Sequence, residues 1–266
     1  MTIKVLILGC GPAGLISAYA AEREFGAEVK IISVKRPSQL YGCQYLHQNI
    51  PGLDVGEPQL VHYRLSGTIE EYRKKVYGSL LPPVSPQQYA DDHLAWDLRR
   101  TYAGLWERFE NDVVDVRLSP VDMVPMLSDF MPDVAISSLP APVLCQSGDR
   151  HTFTDVQCWA MGDSPDQSVA AYGYNIMPFT VWCDGTKDVS FYRACNVFDH
   201  TTVEWPGHKK KPPFDGVVPF NKPLSTDCNC LPSVLRVGRY GTWQKGILSH
   251  QAYDATVRKI KGWVSI

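Results

Sequence analysis

Three glycines near the N-terminus have the spacing that lets a main chain approach a pyrophosphate. Gly9, Gly11 and Gly14 form a G-x-G-x-x-G sequence between an apolar run and a helical segment. In this arrangement the first glycine permits a tight turn, the second lets the backbone approach a phosphate, and the third lets helix and strand pack closely. Pro12 and Ala13 fit the first helical positions. We therefore expect a dinucleotide here, because the start of a helix attracts an anion.

The segments that flank this turn predict a βαβ unit whose second strand ends near the nucleotide's ribose. A helical segment, Leu15–Phe25, precedes an alternating stretch of β-formers, Glu28–Val34. An acidic residue usually binds the adenosine ribose at the end of this strand, and here Ser33 stands there, with Lys35 and Arg36 just beyond. Serine can still hydrogen-bond a hydroxyl group, whereas the cations would suit a 2′-phosphate. The sequence thus leaves open a nucleotide such as NADP.

A long polar segment follows the second strand and holds a candidate catalytic histidine. Residues 37–62 are rich in Pro, Gly, Gln, Asn and His, with His47 near their centre. Such a segment leaves the sheet at the carboxyl ends of its strands, where ligands bind in open α/β folds. His47 is therefore a candidate neighbour of the reacting groups. The alternative is a histidine that only hydrogen-bonds the loop to itself.

Composition and charge limit the kinds of partner that this protein is expected to bind. The 26 Lys and Arg residues nearly balance the 28 Asp and Glu residues, for a net charge of −2, so nothing indicates duplex nucleic acid or an anionic membrane. No apolar stretch has the length of a membrane span, and a strand begins at once without a signal-peptide pattern. We expect a cytoplasmic protein with a small-molecule substrate.

The eight cysteines are predicted to be reduced and mostly structural. No C-x-x-C occurs, which argues against a dithiol reductase. Cys228 and Cys230 form the only close pair in the sequence, and the seven histidines show no spacing that would complete a zinc site with them. No metal site is therefore predicted.

Periodicity and turn residues predict the remaining elements. The expected helices are Ser66–Tyr77, Pro86–Asn111, Asp122–Phe130 and Ser249–Lys261. The expected strands are Val113–Leu118, Asp133–Pro140, His151–Ala160, Ile176–Cys183, Val189–Asn196 and Val234–Gly238, with a proline-rich connection over 206–232.

These elements predict an α/β protein in which a smaller lobe is inserted into a nucleotide-binding lobe. Residues 1–54, 112–145 and 232–266 are expected to form a doubly wound, Rossmann-type parallel sheet. Residues 55–111 and 146–231 are expected to form a smaller α+β substrate lobe, whose alternating strands favour an antiparallel sheet.

Four separated segments resemble FAD proteins of the two-dinucleotide-binding superfamily. The glycine motif resembles their opening fingerprint, and Ile136–Pro140 resembles the return strand of amine-oxidase-like and UDP-galactopyranose-mutase-like flavoproteins. Phe191-Tyr192-Arg193 resembles the aromatic-Tyr-Arg strand of the mutase-like members. Val237–Trp243 resembles their late Gly-Arg segment.

The resemblance implies an FAD lobe and assigns roles to several late residues. Gly238 and Arg239 would lie against the flavin diphosphate, and an arginine beside a glycine can donate charge-assisted hydrogen bonds to phosphate. The segment from Trp243 to Tyr253, including His250, would lie near the isoalloxazine. The acidic-Met-acidic sequence of the mutases is absent here, where Gly-Ile-Leu-Ser-His stands instead.

We expect an FAD-dependent oxidoreductase, with an amine or amino-acid C–N bond as the favoured target. A flavin performs the hard step, which accounts for the lack of a nucleophile motif. The candidate catalytic groups are His47, Arg193, His250 and Tyr253; Arg193 could instead close an ion pair within its lobe. One alternative is a non-redox flavin mutase or lyase acting on a nucleotide-linked or modified-nucleobase substrate. Another is a non-catalytic protein that binds FAD or NADP.

Overall fold

Two sheets organise the chain. A computed structural model describes residues 2–78, 91–119, 128–145, 151–160, 176–209 and 216–265. The first sheet is parallel throughout and has the order β12-β6-β1-β2-β5. Its strands are β1 (Lys4–Leu8), β2 (Glu28–Ser33), β5 (Val113–Asp115), β6 (Val134–Ser137) and β12 (Leu235–Arg236). The strand order reverses between β1 and β6, so the crevice expected to bind a ligand opens at the ends of these two strands.

The second sheet has seven strands in the order β11-β7-β10-β9-β8-β3-β4. Its strands are β3 (Gln59–Ser66), β4 (His93–Ala95), β7 (His151–Ala160), β8 (Thr180–Asp184), β9 (Arg193–Val197), β10 (His200–Pro206) and β11 (Val218–Thr226). The neighbours pair antiparallel except for β3 and β8, which are parallel. The α/β architecture predicted from the sequence is thus confirmed, with the second sheet mixed rather than purely antiparallel.

Six helices lie entirely within the described ranges, and residues 128–130 are also helical. The six are α1 (Pro12–Phe25), α2 (Ile69–Tyr77), α3 (Leu98–Phe109), α4 (Ala141–Leu144), α5 (Gly238–Thr242) and α6 (Gln251–Val264), and a 3-10 turn covers Glu110–Asp112. Helix α1 is the central one, because every residue from Ala13 to Ala21 is buried. It packs with α3 and α6 in one apolar core above the parallel sheet. Helix α3 therefore shares the core of the parallel sheet, although the predicted boundary placed it in the substrate lobe.

The predicted helix Pro86–Asn111 is wrong at its start. The described part of this region first forms strand β4, and the helix begins only after Asp97. The Asp97 carboxylate accepts hydrogen bonds from the backbone N–H groups of Arg99 and Arg100 at 2.7 and 3.1 Å. This cap fixes the start of the helix. The apolar residues before Asp97 also have helical spacing, but they do not extend the helix past the cap. Most of the predicted helix Asp122–Phe130 lies outside the described residues.

The proline-rich connection predicted over 206–232 is also wrong, because β11 runs through it. Pro219 and Pro223 are paired in register with Gln157 and Phe153 of β7. Strand β11 lies at the edge of its sheet, where a missing N–H breaks no ladder on the open side. Strand β3 was likewise missed, since its first half lies in the segment predicted to be irregular.

No helix in the described ranges has the length and apolarity needed to cross a membrane.

The packing of helix α1 onto the glycine turn predicts a sharp dependence on Gly14. A Cβ at this position would lie 2.0 Å from the Gly9 carbonyl oxygen and 2.6 Å from Ser138 Oγ. We expect Gly14→Ala to lower the free energy of unfolding by about 1–3 kcal/mol, measured by urea denaturation. Gly104→Ala in α3 is the matched control, because its Cβ would meet no described atom within 4 Å. An equal response of both variants would contradict this account of the turn.

Candidate functional site

The glycine turn is held between the carboxyl ends of three parallel strands. Gly9 adopts φ +96°, and its N–H donates to the Ile32 carbonyl at 2.9 Å. The Ser138 hydroxyl, just after β6, donates to the Gly9 carbonyl at 3.0 Å. A Cβ on Gly9 would stand 2.7 Å from the same hydroxyl, so only glycine fits both the torsion and the space. The turn is therefore rigidly placed at the switch point of the sheet.

Gly11 faces open space, in contrast to its two neighbours in the motif. It precedes the first residue of α1, and the nearest described atom to a Cβ there would be Ser38 Oγ at 3.7 Å. A side chain would fit sterically, but it would fill the space in front of the helix N-terminus. That space, bounded by main chain with donor N–H groups, has the form of a phosphate cradle. The residues present thus fit the dinucleotide that the sequence predicts.

The predicted ribose position lies beside this cradle. Ser33, at the end of β2, is buried, and the Cys10 thiol donates to its hydroxyl at 3.3 Å. The Tyr102 hydroxyl donates to the Cys10 carbonyl at 3.0 Å and accepts from the Ser38 N–H at 2.8 Å. Lys35 is exposed two residues beyond Ser33. Helix α3 therefore supports the motif through Tyr102, a contact that no local sequence pattern indicates.

The late Gly-Arg segment adjoins the glycine turn and reaches the part of the chain built on the seven-stranded sheet, which we call the second lobe. Gly238 adopts φ +68°, and a Cβ there would lie 2.5 Å from the Ala13 Cβ, so α5 begins against the first turn of α1. The Arg239 guanidinium donates to the Pro223 carbonyl of β11 at 3.1 Å. Its Nε is buried and has no hydrogen-bond partner in the described part of the chain. Arg239 is thus directed to the boundary between the two sheets.

A buried carboxylate organises the interior of the second lobe. Glu204 on β10 is fully buried; its Oε1 accepts from the Arg193 guanidinium at 2.5 Å and from the Cys43 N–H at 3.4 Å. Its Oε2 accepts from the Tyr192 hydroxyl at 2.5 Å and also contacts the Lys222 ammonium. Although burial opposes it, the charges of Arg193 and Lys222 hold the pKa of Glu204 well below its usual value. Arg193 therefore closes the ion pair that the sequence left as an alternative.

Positive charge exceeds negative charge around this carboxylate. We call Arg193, Lys222, Arg239 and Lys245 the cationic cluster. Burial, followed by the positive charge of Arg193, lowers the pKa of Lys222 to about 8. Burial, followed by the charges of Arg239 and Arg73, lowers the pKa of Lys245 to about 7. The Lys245 ammonium lies 4.5 Å from the Tyr77 ring centroid and has no hydrogen-bond partner among the described residues. Such a surplus is suited to an anionic ligand.

The structure brings the two predicted catalytic histidines together. The His47 and His250 rings lie 6.2 Å apart, and His47 stacks on His93 at 4.7 Å. Desolvation lowers the pKa of His47 to about 4, with smaller effects of His93 and His250, although His47 keeps an exposed surface. His250, just before α6, also has a lowered pKa because of burial. A cavity of about 440 Å³ is lined by Gln48, Gly238 and His250.

Tyr253 and Trp243 do not reach this region. The Tyr253 hydroxyl contacts the Glu24 carboxylate, near the end of α1 remote from the glycine turn. Trp243 is buried, and its indole N–H donates to the Thr152 carbonyl at 2.9 Å. Both side chains therefore stabilise packing between elements in this structure.

Comparisons with known proteins place the fold. No family model and no curated protein matches the sequence. A solved structure of reduced UDP-galactopyranose mutase has a TM-score of 0.58 at 12% identity, over 100% of this chain and 95% of that chain. A 2,6-dihydroxypyridine-3-hydroxylase from Arthrobacter nicotinovorans gives 0.52 at 11% identity, over 99% and 84%. A 2-methyl-3-hydroxypyridine-5-carboxylic acid oxygenase gives 0.51 at 11%, over 98% and 87%. The fold is that of FAD-binding structures.

Removal of the Glu204 charge should destabilise the second lobe strongly. Glu204→Gln leaves Arg193 and Lys222 buried without a counter-charge, and we expect a loss of about 3–5 kcal/mol in the free energy of unfolding. Asp54→Asn is the matched control, because Asp54 pairs with Arg100 at 2.7 Å with both side chains largely exposed. This control should change the free energy by less than about 1 kcal/mol. Similar small losses for both variants in urea denaturation would refute the role given to Glu204.

Proposed function

We propose that this chain binds FAD and is a flavin-dependent oxidoreductase whose substrate carries an anionic group. The observation that carries the proposal is the open cradle at Gly11: Gly238 packs on Ala13 beside it, and the next residue, Arg239, contacts strand β11 and belongs to the cationic cluster. The similarity in fold to the mutase, hydroxylase and oxygenase structures supports a flavin rather than a nicotinamide nucleotide. Amine oxidation as such receives no support from these structures.

Different residues of the cradle would bind different parts of the cofactor. The turn Gly9–Gly14 and the first N–H groups of α1 would hold the diphosphate. Ser33 and Lys35 would lie on the adenosine side, at the end of β2. Gly238 would allow close approach of the second main-chain segment. When bound, FAD would supply the capacity to accept or return a hydride, which no side chain of the protein can provide.

The cationic cluster would select and orient the substrate. The buried Arg239 Nε and Lys245 Nζ atoms have no hydrogen-bond partner within the described ranges, so an anionic substrate group would satisfy them. Arg193 is held by Glu204 at 2.5 Å and would present fixed positive charge without rearrangement. A simple amine is cationic and would be repelled here. Within the expected C–N oxidation, an amino acid with its carboxylate therefore fits better than an unsubstituted amine.

A second candidate function is a non-redox flavin mutase acting on a sugar nucleotide. It is favoured by the coverage of 100% of this chain and 95% of the mutase structure. The diphosphate of a sugar nucleotide would also suit the cationic cluster. Stoichiometry separates the two candidates: an oxidase consumes oxygen or another acceptor in each turnover, whereas a mutase requires reduced flavin and consumes neither. A protein that binds flavin but is reduced by no substrate would favour a non-catalytic role.

Gly11→Val should remove the cofactor while leaving the fold intact. Because a Cβ at Gly11 has room, the variant should unfold at about the temperature of the wild type freed of FAD, yet the branched side chain should weaken FAD binding at least about tenfold. The measurements are the visible spectrum of the purified protein and titration with FAD. Gly104→Ala serves again as control and should keep its flavin. The proposal fails if the wild type neither contains nor binds FAD, or if Gly11→Val binds it normally.

Substrate binding should weaken as the pH rises from about 7 to about 8, because Lys245 and Lys222 lose their charges in this range. The substrate is first found by anaerobic bleaching of the bound flavin with amino acids, other carboxylates and sugar nucleotides. Its KM should then increase through this range for the wild type. Lys245→Arg keeps its charge and should reduce the increase, whereas Lys245→Met should raise KM already at low pH. A KM that does not vary with pH in any of the three proteins would contradict the assignment.

A further inference from the structure

Three cysteine thiols converge outside the proposed cofactor site. Cys145 follows helix α4, whereas Cys228 and Cys230 follow strand β11. The Cys145 Sγ atom lies 3.2 Å from that of Cys228 and 3.5 Å from that of Cys230, and all three sulfurs lie within 4.8 Å of one another. The two segments are 83 to 85 residues apart in sequence, so the fold alone assembles the group.

The spacing of the sulfurs fits a shared metal ion. Zinc–sulfur bonds of about 2.3 Å in tetrahedral geometry place the sulfurs about 3.8 Å apart. The separations of 3.2 and 3.5 Å are slightly shorter than that distance and the third is at most 4.8 Å, so small side-chain movements would seat the ion. Cys145 is buried and the other two are half-buried, so an ion would have a route of entry.

Two hydrogen-bond donors are directed at the Cys228 sulfur. The Cys230 N–H donates to Cys228 Sγ at 3.3 Å. The Arg236 guanidinium lies 3.6 Å from the same sulfur and donates to the Cys230 carbonyl at 2.6 Å. Donors of this kind around a metal-binding sulfur stabilise thiolate charge and orient the ligand.

We propose that Cys145, Cys228 and Cys230 form a trithiolate site for Zn²⁺, with solvent in the fourth position. Binding would displace the three thiol protons to solvent and form three zinc–sulfur bonds, with no change in oxidation state. The sequence shows only the Cys228 and Cys230 pair; the third ligand comes from the distant Cys145. The predicted absence of a metal site is therefore revised by this proposal.

The position of the site gives it a structural role. Cys145 lies on the connection that leaves the parallel sheet after β6, and Cys228 and Cys230 lie on the connection that returns from β11 to β12. Zinc would thus cross-link these two of the four connections between the sheets and close a loop of 83 residues or more. Ser138 and Gly238 lie seven and eight residues from Cys145 and Cys230 in sequence, so the cross-link would also restrain two walls of the cradle.

The first test measures metal in the full chain, purified with a phosphine reductant and without chelator. We expect stoichiometric zinc by mass spectrometry, and thiolate-to-metal charge-transfer bands after exchange with Co²⁺. Cys228→Ser and Cys230→Ser should each reduce both signals strongly. Cys158→Ser is the matched control, since Cys158 is fully buried within β7, outside the cluster, and its variant should keep the metal.

The second test uses the wild type and does not depend on the folding of variants. With zinc bound, Cys145, Cys228 and Cys230 should resist N-ethylmaleimide, and a chelator should expose all three and lower the unfolding temperature. The proposal is overturned if the reduced wild type binds neither zinc nor Co²⁺, or if binding survives Cys228→Ser unchanged. A disulfide from Cys145 to either partner in protein purified without reductant or chelator would overturn it as well. Neither test involves flavin, so the outcome is independent of FAD binding.

Discussion

The contact between the first turn of α1 and the ends of β1 and β6 is the constraint on which the rest of the structure depends. It requires a main chain without side chains at Gly9 and Gly14, because the Ser138 hydroxyl and the Gly9 carbonyl already fill the space. With the helix start held this close, the parallel sheet leaves a gap in front of Gly11. The late segment can then seat Gly238 on Ala13, and it carries Arg239 toward the second lobe.

The second lobe must offset the cost of burying positive charge. Several cations are placed in its interior, where desolvation alone would favour their neutral forms. Glu204 offsets this cost for Arg193 and Lys222 and holds them through four described donors on its two oxygens. It does not neutralise the whole group, since the strongest charges acting on Lys245 are all positive. The second lobe can therefore fold, and it keeps an excess of positive charge that an anionic ligand can neutralise.

Features encoded within a short stretch of sequence were predictable, and features that depend on distant partners were not. The glycine turn, the parallel strands around it and helix α6 follow from local spacing and periodicity. Strand β11 was missed because its prolines are tolerated only at a sheet edge, which is a property of the assembled sheet. Nothing in the local sequence distinguishes Glu204 from an ordinary polar residue, because its cationic partners lie on β9 and β11 and reach it only in the folded sheet. Cys145 likewise reads as a lone thiol, because its neighbours lie more than eighty residues away.

The burial of helix α1 has a consequence for how the chain is made. Its apolar surface is covered on one side by α6, whose Ala252, Tyr253 and Ile260 belong to the same core. Almost the entire sequence, including every strand of the second sheet, separates the two helices. During synthesis, α1 therefore emerges from the ribosome long before α6 is made. The nascent chain thus carries an uncovered apolar helix face for most of its translation.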